Sequence, residues 1–225
     1  MTFDNVCYDV CVNLVAGVLG ILIVLWLERQ RRPSLTLRIG QRNILPPMHR
    51  SGLAPGTWLY VEVRNRNVPR WLRWCWDGEP ALSCRAWIGF YDLSGGSLFS
   101  REMIGRWAAS AEPWKVPVTT QSGSGVRLVD LQDTYDIPPG GKAELDTVYR
   151  GPKDVDCYGW SNESYLHGRT SRLWKVPKGR HLARVRVSTA GRESVDTFLI
   201  VNEGPYSEFR LEPADDEMKK CLETE

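Results

Sequence analysis

The chain has 225 residues, of which 42% are hydrophobic and 25% charged, and its formal net charge is +2. That length and balance describe one folded domain beside a membrane segment, and they exclude both a polytopic membrane protein and a disordered chain. Basic and acidic residues alternate almost throughout, which argues against nonspecific binding of a nucleic-acid backbone.

Residues 1–9 form a short flank whose only charges are Asp4 and Asp9. Residues 10–27, VCVNLVAGVLGILIVLWL, contain no charge and one polar side chain, Asn13. At about 1.5 Å per residue a helix of this length nearly crosses a ~30 Å hydrocarbon core. Tyr8 and Trp26 stand where interfacial aromatics belong. The pattern predicts one transmembrane helix and not a cleaved signal peptide. A signal peptide would begin with basic residues and end in small ones, whereas this segment ends Trp26, Leu27, Glu28, Arg29.

Residues 28–33 are a basic juxtamembrane linker. Arg29, Arg31, Arg32 and Arg38 follow the apolar run and no basic residue precedes it, so the positive-inside rule places the domain in the cytoplasm at the cell (inner) membrane. Asn13, Ala16 and Gly20 fall at helical spacing on one face. Small residues let helices approach, and an Asn in hydrocarbon gains from a partner, so this face is the expected place for homo-oligomerisation.

The domain spans 34–204. Period-two alternation predicts strands over 34–39 (SLTLRI) and 57–66 (TWLYVEVRNR), the latter with Leu59, Val61 and Val63 on one face and Tyr60, Glu62 and Arg64 on the other. Further strands are expected over 83–93, 98–103 and 143–149, the last entered through Pro138, Pro139, Gly140 and Gly141. The clearest hairpin pairs 181–189 with 194–202, directing Ala183, Val185 and Val187 to the core and Arg184 and Arg186 to water. Residues 205–225 read as an acidic tail that docks through Tyr206, Phe209 and Leu211 before fraying.

Short strands between Gly and Pro turns, with no sustained helical periodicity after Leu27, predict an all-β soluble domain, an antiparallel β-sandwich behind one N-terminal transmembrane helix. The strand pattern resembles that of immunoglobulin-type and fibronectin-type β-sandwiches, although the Cys to Trp to Cys spacing of antibody-like domains is missing. The resemblance implies binding through loops and exposed edges.

Two stretches concentrate recognition chemistry. Residues 69–78, PRWLRWCWDG, set Trp71, Trp74 and Trp76 among Arg70 and Arg73 between two strands. Three roles compete for them: lying on an anionic leaflet, gripping a protein partner, or capping the core. Residues 157–172, CYGWSNESYLHGRTSR, gather Tyr158, Trp160, Asn162, Glu163, Tyr165, His167 and Arg169, a mixture suited to a small polar ligand or to a hydrogen-bonded crossover loop.

No residues are assigned a catalytic role. The chain has three histidines, His49, His167 and His181, and lacks GxSxG, GxGxxG and GxxxxGK[ST] patterns, so no cofactor is expected. Its cysteines, Cys7, Cys11, Cys75, Cys84, Cys157 and Cys221, form no CxxC pair, so no metal is expected either. Such scattered thiols suit a reducing compartment, while an oxidising one would allow a Cys75–Cys84 pair. The expected role is a non-enzymatic interaction or sensor module that binds a protein partner or the membrane surface. Its alternatives are a ligand-binding or hydrolytic domain using 157–172, and an extracytoplasmic receptor or envelope component.

Overall fold

The computed structural model describes residues 3–45, 56–71, 73, 77–120, 123–167 and 172–222, without the side chains of 3–13, 43–45, 120, 123–124 and 166–167. A 29-residue helix, α1 (Phe3–Arg31), opens the chain and ends two residues before Pro33, which cannot continue it. Every described side chain from Leu14 to Trp26 is exposed. Among the described residues no helix is long and apolar enough to cross a membrane. The uncharged part with described side chains, 14–27, extends only about 21 Å.

Beyond Pro33 the chain is built mostly from antiparallel strands. In the first sheet, β1 (Leu35–Ile39) pairs with β3 (Gly56–Asn65), and β3 pairs in turn with β10 (Lys142–Arg150). The sheet continues through β11 (Cys157–Gly159) to β12 (Lys175–Val176), with β2 (Asn43–Leu45) on β3 and β6 (Arg106–Trp107) on β10. A short helix, α2 (Glu163–His167), lies in the connection from β11 to β12. The second sheet runs β15 (Arg210–Pro213), β14 (Arg192–Asn202), β13 (Gly179–Thr189), β4 (Ala81–Tyr91), β5 (Met103–Ile104), and β9 (Thr134–Ile137) pairs with β4. A separate ribbon joins β7 (Trp114–Thr120) to β8 (Gly123–Val129).

The expected alternation holds where the two sheets contribute to one core. Leu59, Val61 and Val63 of β3 and Leu145 and Val148 of β10 join Ile88 and Phe90 of β4 and Ala183, Val185 and Val187 of β13. Trp107 is fully buried among them, and its indole N–H donates to the Cys84 carbonyl at 3.2 Å. Cys84 and Cys157 are free buried thiols whose pKa values burial pushes up, which leaves them inert as nucleophiles.

Each sheet also carries a smaller cluster on its other face. On the first, Trp58, Tyr60, Tyr149 and Trp160 pack together. Beside them Arg106 and Asp146 form a buried ion pair at 2.6 Å. Burial pushes the Asp146 carboxyl up to about 6, against the opposing pull of Arg106. On the second sheet, Leu182, Leu199 and Val201 are covered by Met218 and Leu222 of the C-terminal segment. That segment forms α3 (Asp216–Cys221), whose N-cap Asp215 accepts from the Met218 backbone N–H at 2.8 Å.

The fold departs from the sequence expectations in several places. Of 98–103, only Met103 is strand. The chain instead turns at Gly95, with φ +93°, and the Phe99 ring packs edge-on against Phe90 and Trp174 at 5.7 and 5.1 Å. The ribbon β7–β8, the short strands β9, β11, β12 and β15, and α3 add elements where no strand or helix is expected. Arg184 and Arg186 are half-buried: Arg184 donates to the Leu222 carbonyl, and Arg186 lies over Trp87 and pairs with Glu102.

Candidate functional site

Loop 66–78 is fastened at both ends to the exit of α1. Asn65, fully buried at the end of β3, donates through Nδ2 to the carbonyls of Glu79 and Ile137 at 3.0 and 3.1 Å. Its Oδ1 accepts from the Ser34 backbone N–H at 3.3 Å. The Arg66 backbone N–H donates to the Ser34 carbonyl at 2.8 Å, and that of Glu79 donates to the Arg31 carbonyl at 3.0 Å. One amide side chain and two backbone bonds thus hold the loop's base against the last turn of the helix. Arg31 adds ion pairs to Glu28 at 3.2 Å and Glu79 at 3.8 Å.

From that base the loop projects Arg70, Trp71 and Arg73, all exposed. Trp71, 59% exposed, stacks on Trp26 with ring centroids 5.7 Å apart and planes at 20°. Arg73 donates through Nε to the Val68 carbonyl at 3.3 Å. Trp74, Cys75 and Trp76 lie outside the described residues. Hydrophobic rings exposed in pairs are costly in water, so two stacked tryptophans at the end of an apolar helix mark a surface suited to a less polar neighbour.

The second stretch is arranged differently. Trp160 is 4% exposed and touches three rings: Trp58 at 6.0 Å and 90°, Tyr149 at 5.6 Å, and Tyr165 at 5.4 Å. Its backbone N–H donates to the carbonyl of Thr147, where the register between β3 and β10 shifts. Asn162 donates to Asp133 at 3.1 Å. The Glu163 carboxylate accepts from both Arg101, at 2.9 and 3.1 Å, and the Trp174 indole at 3.1 Å. Arg106 lies under Tyr165 at 5.3 Å, and Tyr158 is half-buried with its pKa raised by desolvation. Asn162 and Glu163 therefore meet groups of the protein itself. The side chain of His167 and all of Arg169 lie outside the described residues.

On α1, Ala16 is exposed, and a Cβ at Gly20 would meet nothing within 4 Å, so this part of the small-residue face is uncovered. The side chain of Asn13 lies outside the described residues. Among the described residues no group of three His, Cys, Asp or Glu side chains is placed to hold a metal ion. Comparison with known protein families, with curated proteins and with solved structures returns no match.

The sequence singled out the Trp71 loop but missed its neighbours across the junction. Arg192 donates to the Pro33 carbonyl at 3.3 Å, and the Ser194 hydroxyl to the Leu35 carbonyl at 3.0 Å. The tip of the β13–β14 hairpin therefore also touches the helix exit. Both residues lie about 160 positions from their partners, and no local signal marks such a pair.

Proposed function

We propose that this protein is a single-pass membrane protein whose α1 anchors an all-β domain on the cytoplasmic side of the inner membrane. The domain acts there as a non-enzymatic interaction module that lies against the anionic leaflet through Arg70, Trp71 and Arg73. The stack of Trp71 on Trp26 carries this reading, because it ties the exposed loop to the interfacial end of the apolar helix. The uncharged run 10–27 supports the anchor. So do nine aliphatic side chains exposed between Leu14 and Leu25, whose removal from water is worth upward of about 13 kcal/mol at ~1.5 kcal/mol each. A helix apolar on every side belongs inside protein or lipid, and nothing in the chain covers it among the described residues.

The two sheets are read as the layers of a sandwich because their inner faces share one core. The membrane surface is favoured over a small ligand because Asn162, Glu163 and Trp160 are engaged within the protein. A protein partner, including a second copy held along Asn13, Ala16 and Gly20, fits the same arrangement as a neighbour within the bilayer.

The full-length protein should stay with membranes through alkaline carbonate extraction. Its domain should be digested by protease in inverted vesicles and spared in intact cells. Release by carbonate, or digestion from outside, would overturn the assignment. Substituting Gly20→Ile should abolish crosslinked dimers if the helix self-associates, and dimers that survive it would place the contact elsewhere.

A further inference from the structure

Three segments distant in sequence meet at the foot of α1. The helix exit (29–35), the loop after β3 (66–69) and the tip of the β13–β14 hairpin (189–194) line a cavity of about 490 Å³, a size ordinary for a small-molecule site. Its walls carry four guanidinium groups, Arg29, Arg32, Arg66 and Arg192, against one carboxylate, Glu193, which Arg186 engages at 3.3 Å. The side chains of Arg29, Arg32 and Arg66 have no partner among the described residues, and Arg192 donates only to the Pro33 carbonyl. Outside the cavity, six of the described arginines, Arg31, Arg64, Arg101, Arg106, Arg186 and Arg210, each meet a carboxylate.

Gathering like charges without a counter-ion destabilises a folded protein, and an anion between them reverses the sign of that contribution. Guanidinium forks match phosphate oxygens in geometry and hold them by charge-assisted hydrogen bonds. The negative end of the α1 macrodipole opposes an anion here, but at about half a charge it is outweighed by four full ones. We propose that this cavity is a phosphate-binding site.

The source of the phosphate that its position favours is an anionic lipid headgroup, and this part rests on the reading of α1 as a membrane span. Arg29 and Arg32 lie two and five residues past Leu27, or about 3–8 Å along the helix axis. The headgroup layer on each side of a bilayer is roughly 5–7 Å deep. The cavity therefore opens at the level of the lipid phosphates, beside the Trp26–Trp71 stack.

The test uses the full-length chain in a neutral detergent, with native mass spectrometry as the readout. Dioctanoyl phosphatidic acid, dioctanoyl phosphatidylcholine and inorganic phosphate are added separately. Wild type should bind phosphatidic acid at least about tenfold more tightly than phosphatidylcholine. The double variant R66A/R192A should lose about tenfold or more of that affinity, the scale of one or two charge-assisted bonds. These two arginines are chosen because Arg29, Arg31 and Arg32, which set the topology, stay in place. The single variant Arg66→Gln, at a side chain without a protein partner among the described residues, keeps the test interpretable if the double variant folds poorly. Arg66→Lys should recover part of the binding.

Inorganic phosphate binding as tightly as phosphatidic acid would support the site and assign it to a soluble phosphate in place of a lipid. Equal binding of phosphatidic acid and phosphatidylcholine, or unchanged binding in Arg66→Gln at unchanged melting temperature, would overturn it. Since no bilayer is present, these outcomes do not depend on whether α1 spans one, which carbonate extraction decides separately.

Discussion

Loop 69–78 and segment 157–172 both mix aromatic rings with arginines, three tryptophans and two arginines in the first and one tryptophan, two tyrosines and two arginines in the second, yet the fold treats them in opposite ways. Trp160 is enclosed by Trp58, Tyr149 and Tyr165, whereas Trp71 has Trp26 for a neighbour and is 59% exposed. Glu163 is held by Arg101 and Trp174, while Arg70 and Arg73 are exposed to solvent. An aromatic and charged mixture is therefore structural where a sheet stands behind it and available where only a helix terminus does.

That contrast breaks most directly at Trp160. Trp160→Ala should cost about 3–5 kcal/mol in urea unfolding of the full chain. A loss below about 1 kcal/mol would mean the cluster is a surface feature and would reopen 157–172 as a ligand site.

The Asp146 carboxyl is buried beside that cluster. It titrates near 6 in the fold and near 3.8 when unfolded, so between those values the folded state holds a proton that the unfolded state has lost. Its contribution to stability is full below about pH 4 and disappears as the pH rises through about 6, a change on the order of 2–3 kcal/mol. The difference in unfolding free energy between wild type and Asp146→Asn should slope downward over that window. A flat difference would mean that Arg106 compensates the burial in full.

The smallest stability effect belongs to the exposed member of the comparison. Trp71→Ala should change unfolding by less than about 0.5 kcal/mol while reducing quenching of the remaining tryptophans by brominated lipid in reconstituted vesicles. A large fall in stability would assign Trp71 to the packing of the junction instead.

Much of the strand architecture was legible because alternation and turn chemistry are local. In the hairpin of β13 and β14, Val185 and Val187 alternate with Arg184 and Arg186, and the connection uses Gly191 at φ +76°. The same logic failed for 98–103, where Phe99 turns toward the core through a bend and not through a pleat. It also passed over β7, where Pro117 interrupts a pattern that would otherwise read as strand. The charge order of α3 was present in the sequence, with Asp215, Asp216 and Glu217 before Lys219 and Lys220, but six residues are too few for periodicity to register.

By itself the sequence determined what depends on neighbours along the chain: an uncharged run of eighteen residues, basic residues after it, and strands whose faces alternate. Only the tertiary structure decided which aromatics are enclosed, and that Arg29, Arg32, Arg66 and Arg192 meet in one cavity at the helix exit. Convergence of that kind comes from strand pairing and from the hydrogen bonds of Asn65, Arg66, Glu79 and Arg192 to the helix exit, the last of which joins residues 159 positions apart. Periodicity carries no information about which loops a sheet places side by side, because the side chains that meet there obey no spacing rule.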